Sequence, residues 1–164
     1  MEKHLYDVRF KLPANFLITG PSSSGKTRFL TKLLQNSANL MTKKPKLILF
    51  YYQEWQKLYE DINKIDGCTV IFKKGPPESL DHVKDELKQF PLQDPKICIL
   101  DDLLLKLLPF MQELFTVVSH HFNCSMVLIS QTIFGNKELR TISLNTHYMV
   151  SYTFTFNDLF GCAL

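Results

Sequence analysis

Eight residues, Gly20-Pro21-Ser22-Ser23-Ser24-Gly25-Lys26-Thr27, constrain this chain more than any other stretch. They match G-x-x-x-x-G-K-[ST], and their setting gives the match weight. Phe16-Leu17-Ile18-Thr19 precedes them as a short apolar run between Pro13 and Gly20, which reads as a buried strand. Residues 26–36 follow with Phe29, Leu30, Leu33 and Leu34 on one helical face. A strand, a glycine-bounded loop and a helix in that order make a phosphate-binding device. Gly20 and Gly25 let the backbone fold tightly and turn its N–H groups inward. The start of the next helix adds its positive dipole end. Lys26 is expected to reach the β- and γ-phosphates of a nucleotide such as ATP, and the Thr27 hydroxyl to ligate Mg²⁺. Pro21 and Ser22 complete the loop, and Ser23 and Ser24 can add polar contacts. A Ser/Gly-rich turn that binds nothing is the bland alternative, and the flanking elements speak against it.

The rest of the chain alternates in the same way. Leu47–Tyr52, Thr69–Phe72, Ile97–Leu100 and Met126–Ile129 read as buried strands. Residues 54–64, 79–89 and 110–122 carry apolar side chains at helical spacing. In the first of these, Trp55, Leu58, Tyr59 and Ile62 share a face, so Trp55 is expected in the core, although with Tyr51 and Tyr52 it could stack on a base. A polar, loop-like segment, 131–147, leads to a last apolar run from Tyr148 to Phe156. Strands alternating with helices imply an α/β sandwich with a mostly parallel sheet. Such strands are covered on both faces and should be uniformly apolar, as these are.

In a parallel sheet the carboxyl ends of the strands lie beside the phosphate loop. Asp101 and Asp102 end one apolar run there. Asp101 is expected to hold Mg²⁺, and Asp102 to orient or deprotonate an attacking water. A second reading makes Asp102 an N-cap for the leucine-rich segment after it. Ser130 and Gln131 end the next run, where Gln131 can contact the γ-phosphate or its water; the alternative is a loop glutamine. Arg140 is the last of only three arginines, Arg9, Arg28 and Arg140. It could reach a neighbouring subunit's nucleotide as a finger or stand solvated, with Lys137 a weaker candidate. His120-His121 reads as a helix end, where cations favour the dipole.

Composition sets outer bounds. With 164 residues, 45% hydrophobic and 21% charged, the chain is expected to form one domain over 1–164. A net charge of +3 permits an anionic partner without demanding one. The four cysteines form no C-x-x-C pair, so a reduced, intracellular, soluble protein is expected, with Cys98 a small buried hydrophobe. Lys106 interrupts the longest leucine-rich segment, so no membrane span is expected.

Taken together, Gly20–Thr27, Ile97–Leu103 (ICILDDL), Met126–Gln131 (MVLISQ) and Leu139–Met149 (LRTISLNTHYM) resemble the FtsK/HerA-type P-loop ATPases. More narrowly, they are similar to the genome-packaging ATPases of Polinton/Maverick elements, adintoviruses and poxvirus-like DNA viruses. The similarity runs over about residues 10–150. It implies a P-loop NTPase three-layer sandwich with an additional strand between the phosphate-loop strand and the acidic strand, Gln131 at that strand's tip. It also implies a homomeric ring with nucleotide between subunits, double-stranded DNA in the channel and capsid proteins as partners. The setting would be the nucleus or cytoplasm of an infected or element-carrying cell, or the virion. Asn145 and His147 fall in the similar stretch without an evident chemical role. After Val150 the chain departs from the family pattern, which reads as a C-terminal truncation.

Three functions follow. The first is an ATP-driven DNA translocase acting in genome packaging. The second is a small-molecule kinase, disfavoured by the scarcity of arginine for clamping two phosphate groups. The third is a remnant that binds nucleotide without turnover, which a shortened C-terminus favours.

Overall fold

The computed structural model describes residues 7–103, 110–131 and 137–153. β1 is Phe16–Thr19, followed by α1 (Lys26–Gln35) and a one-turn α2 (Ser37–Leu40). β2 (Leu47–Tyr52), α3 (Tyr59–Ile62), β3 (Thr69–Lys74) and α4 (Leu80–Lys88) come next. β4 (Lys96–Asp101) ends on the acidic pair. The helical run 111–121, α5, has a π-helical turn at Leu114–Val118 between Met111–Glu113 and Ser119–His121. β5 (Cys124–Ser130), α6 (Lys137–Leu144) and β6 (Tyr148–Ser151) complete the described chain.

The six strands form one parallel sheet in the order β3-β2-β4-β5-β1-β6. Strand β5 therefore lies between the phosphate-loop strand and the acidic strand, which is the additional-strand arrangement. Alternation along each strand splits its side chains between two apolar layers. Leu17, Leu49, Cys98, Leu100, Met126 and Leu128 pack with α4, α5 and Ile142 of α6. Ile18, Ile48, Phe50, Ile99, Val127 and Ile129 pack with α1 and α3. Two helical layers on one sheet make the three-layer sandwich. β3 is a sheet edge and only partly covered, and Lys73 ties it to Glu86 of α4 at 2.7 Å. Cys98 is buried as expected, and burial pushes the neighbouring Cys124 thiol up to about 12.

Several boundaries differ from the sequence reading. Residues 54–64 are helical only over Tyr59–Ile62. The approach to α3 is tightened by three-residue hydrogen bonds, Tyr59 N–H donating to Gln56 O and Glu60 N–H to Lys57 O. Trp55 consequently leaves the core and is 49% exposed, its ring packed on Tyr52, Tyr59 and Phe72. The segment read as a polar loop, 131–147, contains α6. That helix buries only Ile142 fully among its described side chains and leaves Leu144 exposed, too little to create a periodic signal. Strand β4 begins one residue early, on buried Lys96. Its ammonium is solvated by the carbonyls of Pro91, Asp94 and Phe122 at 2.7, 3.0 and 3.3 Å. Phe154 to Phe156, the end of the last apolar run, lies outside the described residues.

Asn15, just before β1, organises the end of the sheet away from the strand carboxyl termini. Its side chain donates to Phe115 O (2.7 Å) and Asn145 O (2.9 Å) and accepts from Met126 N–H (3.3 Å). Its backbone N–H donates to His147 Nδ1 at 3.0 Å. The π turn, β5 and the α6–β6 turn thus meet on one buried amide, which gives Asn145 and His147 a structural role. Removing it leaves several buried groups unsatisfied. Asn15→Ala is expected to cost about 3 kcal/mol and lower the melting temperature by roughly 9 °C. A calorimetric shift under about 2 °C would show that water replaces the amide.

Candidate nucleotide site

The site grows from the register of three strands. Thr19 pairs with Ser130, and Ile129 with Asp101. The phosphate loop, Gln131 and both aspartates therefore emerge along one edge of the sheet. Gly20 leaves β1 at φ 149° and donates its N–H to Ser130 O at 3.2 Å. Its missing side chain matters: a Cβ there would lie 2.6 Å from Tyr152 Cβ and 2.8 Å from Tyr152 O. The loop then turns through Ser23 (φ 61°) and Gly25 (φ 96°) into α1. Gly25 offers no side-chain cap, so the first N–H groups of α1 carry no side-chain acceptor. That is the arrangement an anion fits.

Lys26 folds back across this loop. Its ammonium donates to Gly20 O (2.8 Å) and Pro21 O (2.7 Å). An ammonium has three hydrogens, so two are spent on orientation and one remains for a ligand. Burial pushes its pKa down, opposed by the nearby Asp101 and Asp102 carboxylates. Ser22, Ser23, Gly25, Lys26, Thr27, Asp101, Asp102 and Gln131 line one cleft of about 510 Å³. Pro21 contributes its carbonyl from behind. The Ser24 hydroxyl is buried with no hydrogen-bond partner among the described residues and lies beside Gly20 rather than on the cleft wall.

Asp101 is 2% exposed. Its Oδ2 accepts from Thr27 Oγ1 at 3.3 Å and from the Tyr59 hydroxyl at 2.8 Å. Burial raises its pKa against the lowering effect of those two hydrogen bonds, and no cation touches it among the described residues. A buried carboxylate beside a hydroxyl oxygen, in a cleft, is a hard oxygen donor set that suits Mg²⁺. Asp102 is exposed, in a left-handed conformation at φ 56°. Its Oδ1 accepts from Gln131 Nε2 at 3.3 Å. The two side chains read separately as base and sensor thus stand in contact. The leucine-rich segment that Asp102 could have capped lies largely outside the described residues.

Arg140 sits exposed on α6 rather than on a loop and does not line the cleft. Lys137 is on the same helix. Four cleft residues escaped the sequence reading of the site, Arg28, Gln56, Leu58 and Ile129. So did the Tyr59 hydroxyl, whose one sequence signal is chemical: a buried tyrosine needs an acceptor. Burial and the Asp101 carboxylate hold this phenol well above its ordinary pKa, so it stays a donor.

Comparison with known proteins bears on the fold. No family model matches the chain, and no curated protein matches it. Solved structures do. The cytoplasmic domain of EssC aligns with a TM-score of 0.62 at 12% identity, over 92% of this chain and 33% of that one. Cdc6p from Pyrobaculum aerophilum aligns with a TM-score of 0.52 at 12% identity, over 88% of this chain and 40% of that one. At this identity the likeness is one of fold: an α/β three-layer sandwich on a parallel sheet. The chain spans between a third and two fifths of these neighbours' lengths, so the likeness is to a part of each. Among the described residues no helix is long and apolar enough to cross a membrane.

The packing of Tyr152 on Gly20 gives a direct test. Gly20→Ala places a methyl against backbone as well as side chain, so β6 or the loop must move. A loss of about 3 kcal/mol is expected from overpacking and strain together. Thermal unfolding of the variant measures it, and an unchanged midpoint would mean that β6 yields freely.

Proposed function

We propose that this domain binds ATP with Mg²⁺ and hydrolyses it, as the motor that moves double-stranded DNA in viral genome packaging. The observation that carries the reading is the convergence of Lys26, Thr27, Asp101, Asp102 and Gln131 on one cleft. The loop N–H groups and the remaining Lys26 hydrogen bind the phosphates. Thr27 and Asp101 would hold Mg²⁺, which would supply charge neutralisation at the phosphates. Asp102 has Oδ1 engaged by Gln131, which leaves Oδ2 to take the proton of the attacking water as its oxygen bonds to the γ-phosphorus and the bond from that phosphorus to the β–γ bridging oxygen breaks, releasing ADP and phosphate. Gln131, fixed by the same contact, orients that water.

The motor reading draws on the resemblance of the DDL, SQ and RTISLNTHY segments to packaging ATPases. Arg140 supports it by standing exposed on α6, available to a neighbouring copy in a homomeric ring. Lysines supply the cationic contacts that DNA phosphates need, and such contacts weaken as salt rises. Capsid proteins are the further partners in this reading.

The test is ATP turnover with and without double-stranded DNA. DNA is expected to stimulate it, and Lys26→Ala to abolish nucleotide binding. Asp102→Asn should keep binding within about threefold and slow turnover by about 10² or more. Undiminished turnover in Asp102→Asn removes the base role. Binding without any turnover, DNA present or absent, would leave the domain a nucleotide-binding remnant.

A further inference from the structure

Tyr59 does more than fill the core. Its hydroxyl meets Asp101 Oδ2 at 2.8 Å, closer than the Thr27 hydroxyl at 3.3 Å to the same atom. Both hydrogens land on Oδ2, and Oδ1 carries no hydrogen bond among the described residues. No cation touches Asp101 among the described residues, so its orientation rests on these two hydroxyls. Tyr59 is itself held in place. The side chain is buried, and its ring is stacked on Phe72 at 5.9 Å and tilted on Phe50 at 4.7 Å. Trp55 closes on its edge at 5.3 Å. A donor held this rigidly selects one orientation of the carboxylate.

We propose that Tyr59 is a positioning residue for the metal-binding carboxylate: it pins Asp101 by the Oδ2 edge and leaves Oδ1 as the oxygen offered to a divalent cation. The proposal rests on the ATP–Mg²⁺ reading above and adds a residue to it. Groups that orient a carboxylate ligand from behind typically contribute 10- to 100-fold in metal affinity.

The experiment titrates Mg²⁺ into the protein with a fluorescent ATP analogue, and separately measures binding of the analogue in chelator. Tyr59→Phe keeps the ring and removes the hydroxyl. Its metal-free nucleotide affinity is expected to stay within twofold of wild type, while the Mg²⁺ midpoint rises about tenfold. Trp55 is the chain's one tryptophan, so its emission reports whether the aromatic cluster is intact. Placing p-aminophenylalanine at 59 restores an N–H donor on an unchanged ring and should return the midpoint to within threefold of wild type. This second variant also keeps the test open should Tyr59→Phe fold poorly. A midpoint within twofold of wild type in Tyr59→Phe overturns the proposal. So does a loss of metal-free binding with an altered Trp55 emission, which would mark a merely structural role. If wild type itself binds no analogue under either condition, the nucleotide reading fails first and the proposal falls with it.

Discussion

Hydrogen bonding of β5 between β1 and β4 is the constraint on which the site depends. The phosphate loop and the acidic pair are encoded far apart, on strands that do not touch. With β5 between them, Thr19 aligns with Ser130 and Asp101 with Ile129. The loop leaves one side of β5 and the acids leave the other, and the cleft spans the strand's tip. Gln131 occupies that tip because it follows the last paired residue. Were β5 elsewhere in the sheet, Gln131 would not stand at the cleft in contact with Asp102.

Charge is placed inside this frame with partners that orient it. Lys26 is desolvated, yet two carbonyls of its own loop hold it. Asp101 is desolvated, yet two hydroxyls hold it. Neither group meets a full counter-charge among the described residues. Burying charges costs free energy unless they are well partnered, and here the partners are neutral oxygens and hydroxyls rather than opposite charges. Lys96 shows the contrast at the other end of the sheet. Three carbonyls saturate its ammonium, and it serves the loops around it.

Much of this was legible in the sequence, for reasons that residues make plain. The phosphate loop has a local pattern, and the central strands are apolar throughout because helices cover both faces. Asp101 and Gln131 were legible because the ends of parallel strands have a fixed place. The failures have a common cause. A run of apolar spacing over 54–64 does not reveal that only one turn is helical, and Trp55 was misplaced with it. α6 was hidden because Ile142 alone of its described side chains is fully buried. Lys96 looked like the boundary of a strand because a lysine's solvation by carbonyls leaves no mark in sequence. The Tyr59–Asp101 and Asp102–Gln131 pairs needed tertiary structure, since each joins side chains far apart in the sequence.

The contact between Tyr152 and Gly20 has a consequence for how the motif itself is read. The first glycine of such a loop is ordinarily ascribed to the local turn. Here the absence of a side chain is also demanded from outside, by the chain leaving β6, whose Tyr152 N–H donates to Thr19 O at 2.8 Å. Residue 152 thus acts as a backstop behind the start of the loop. A signature that looks self-contained over eight letters has its first letter chosen by a residue that is distant in sequence and leaves the neighbouring strand.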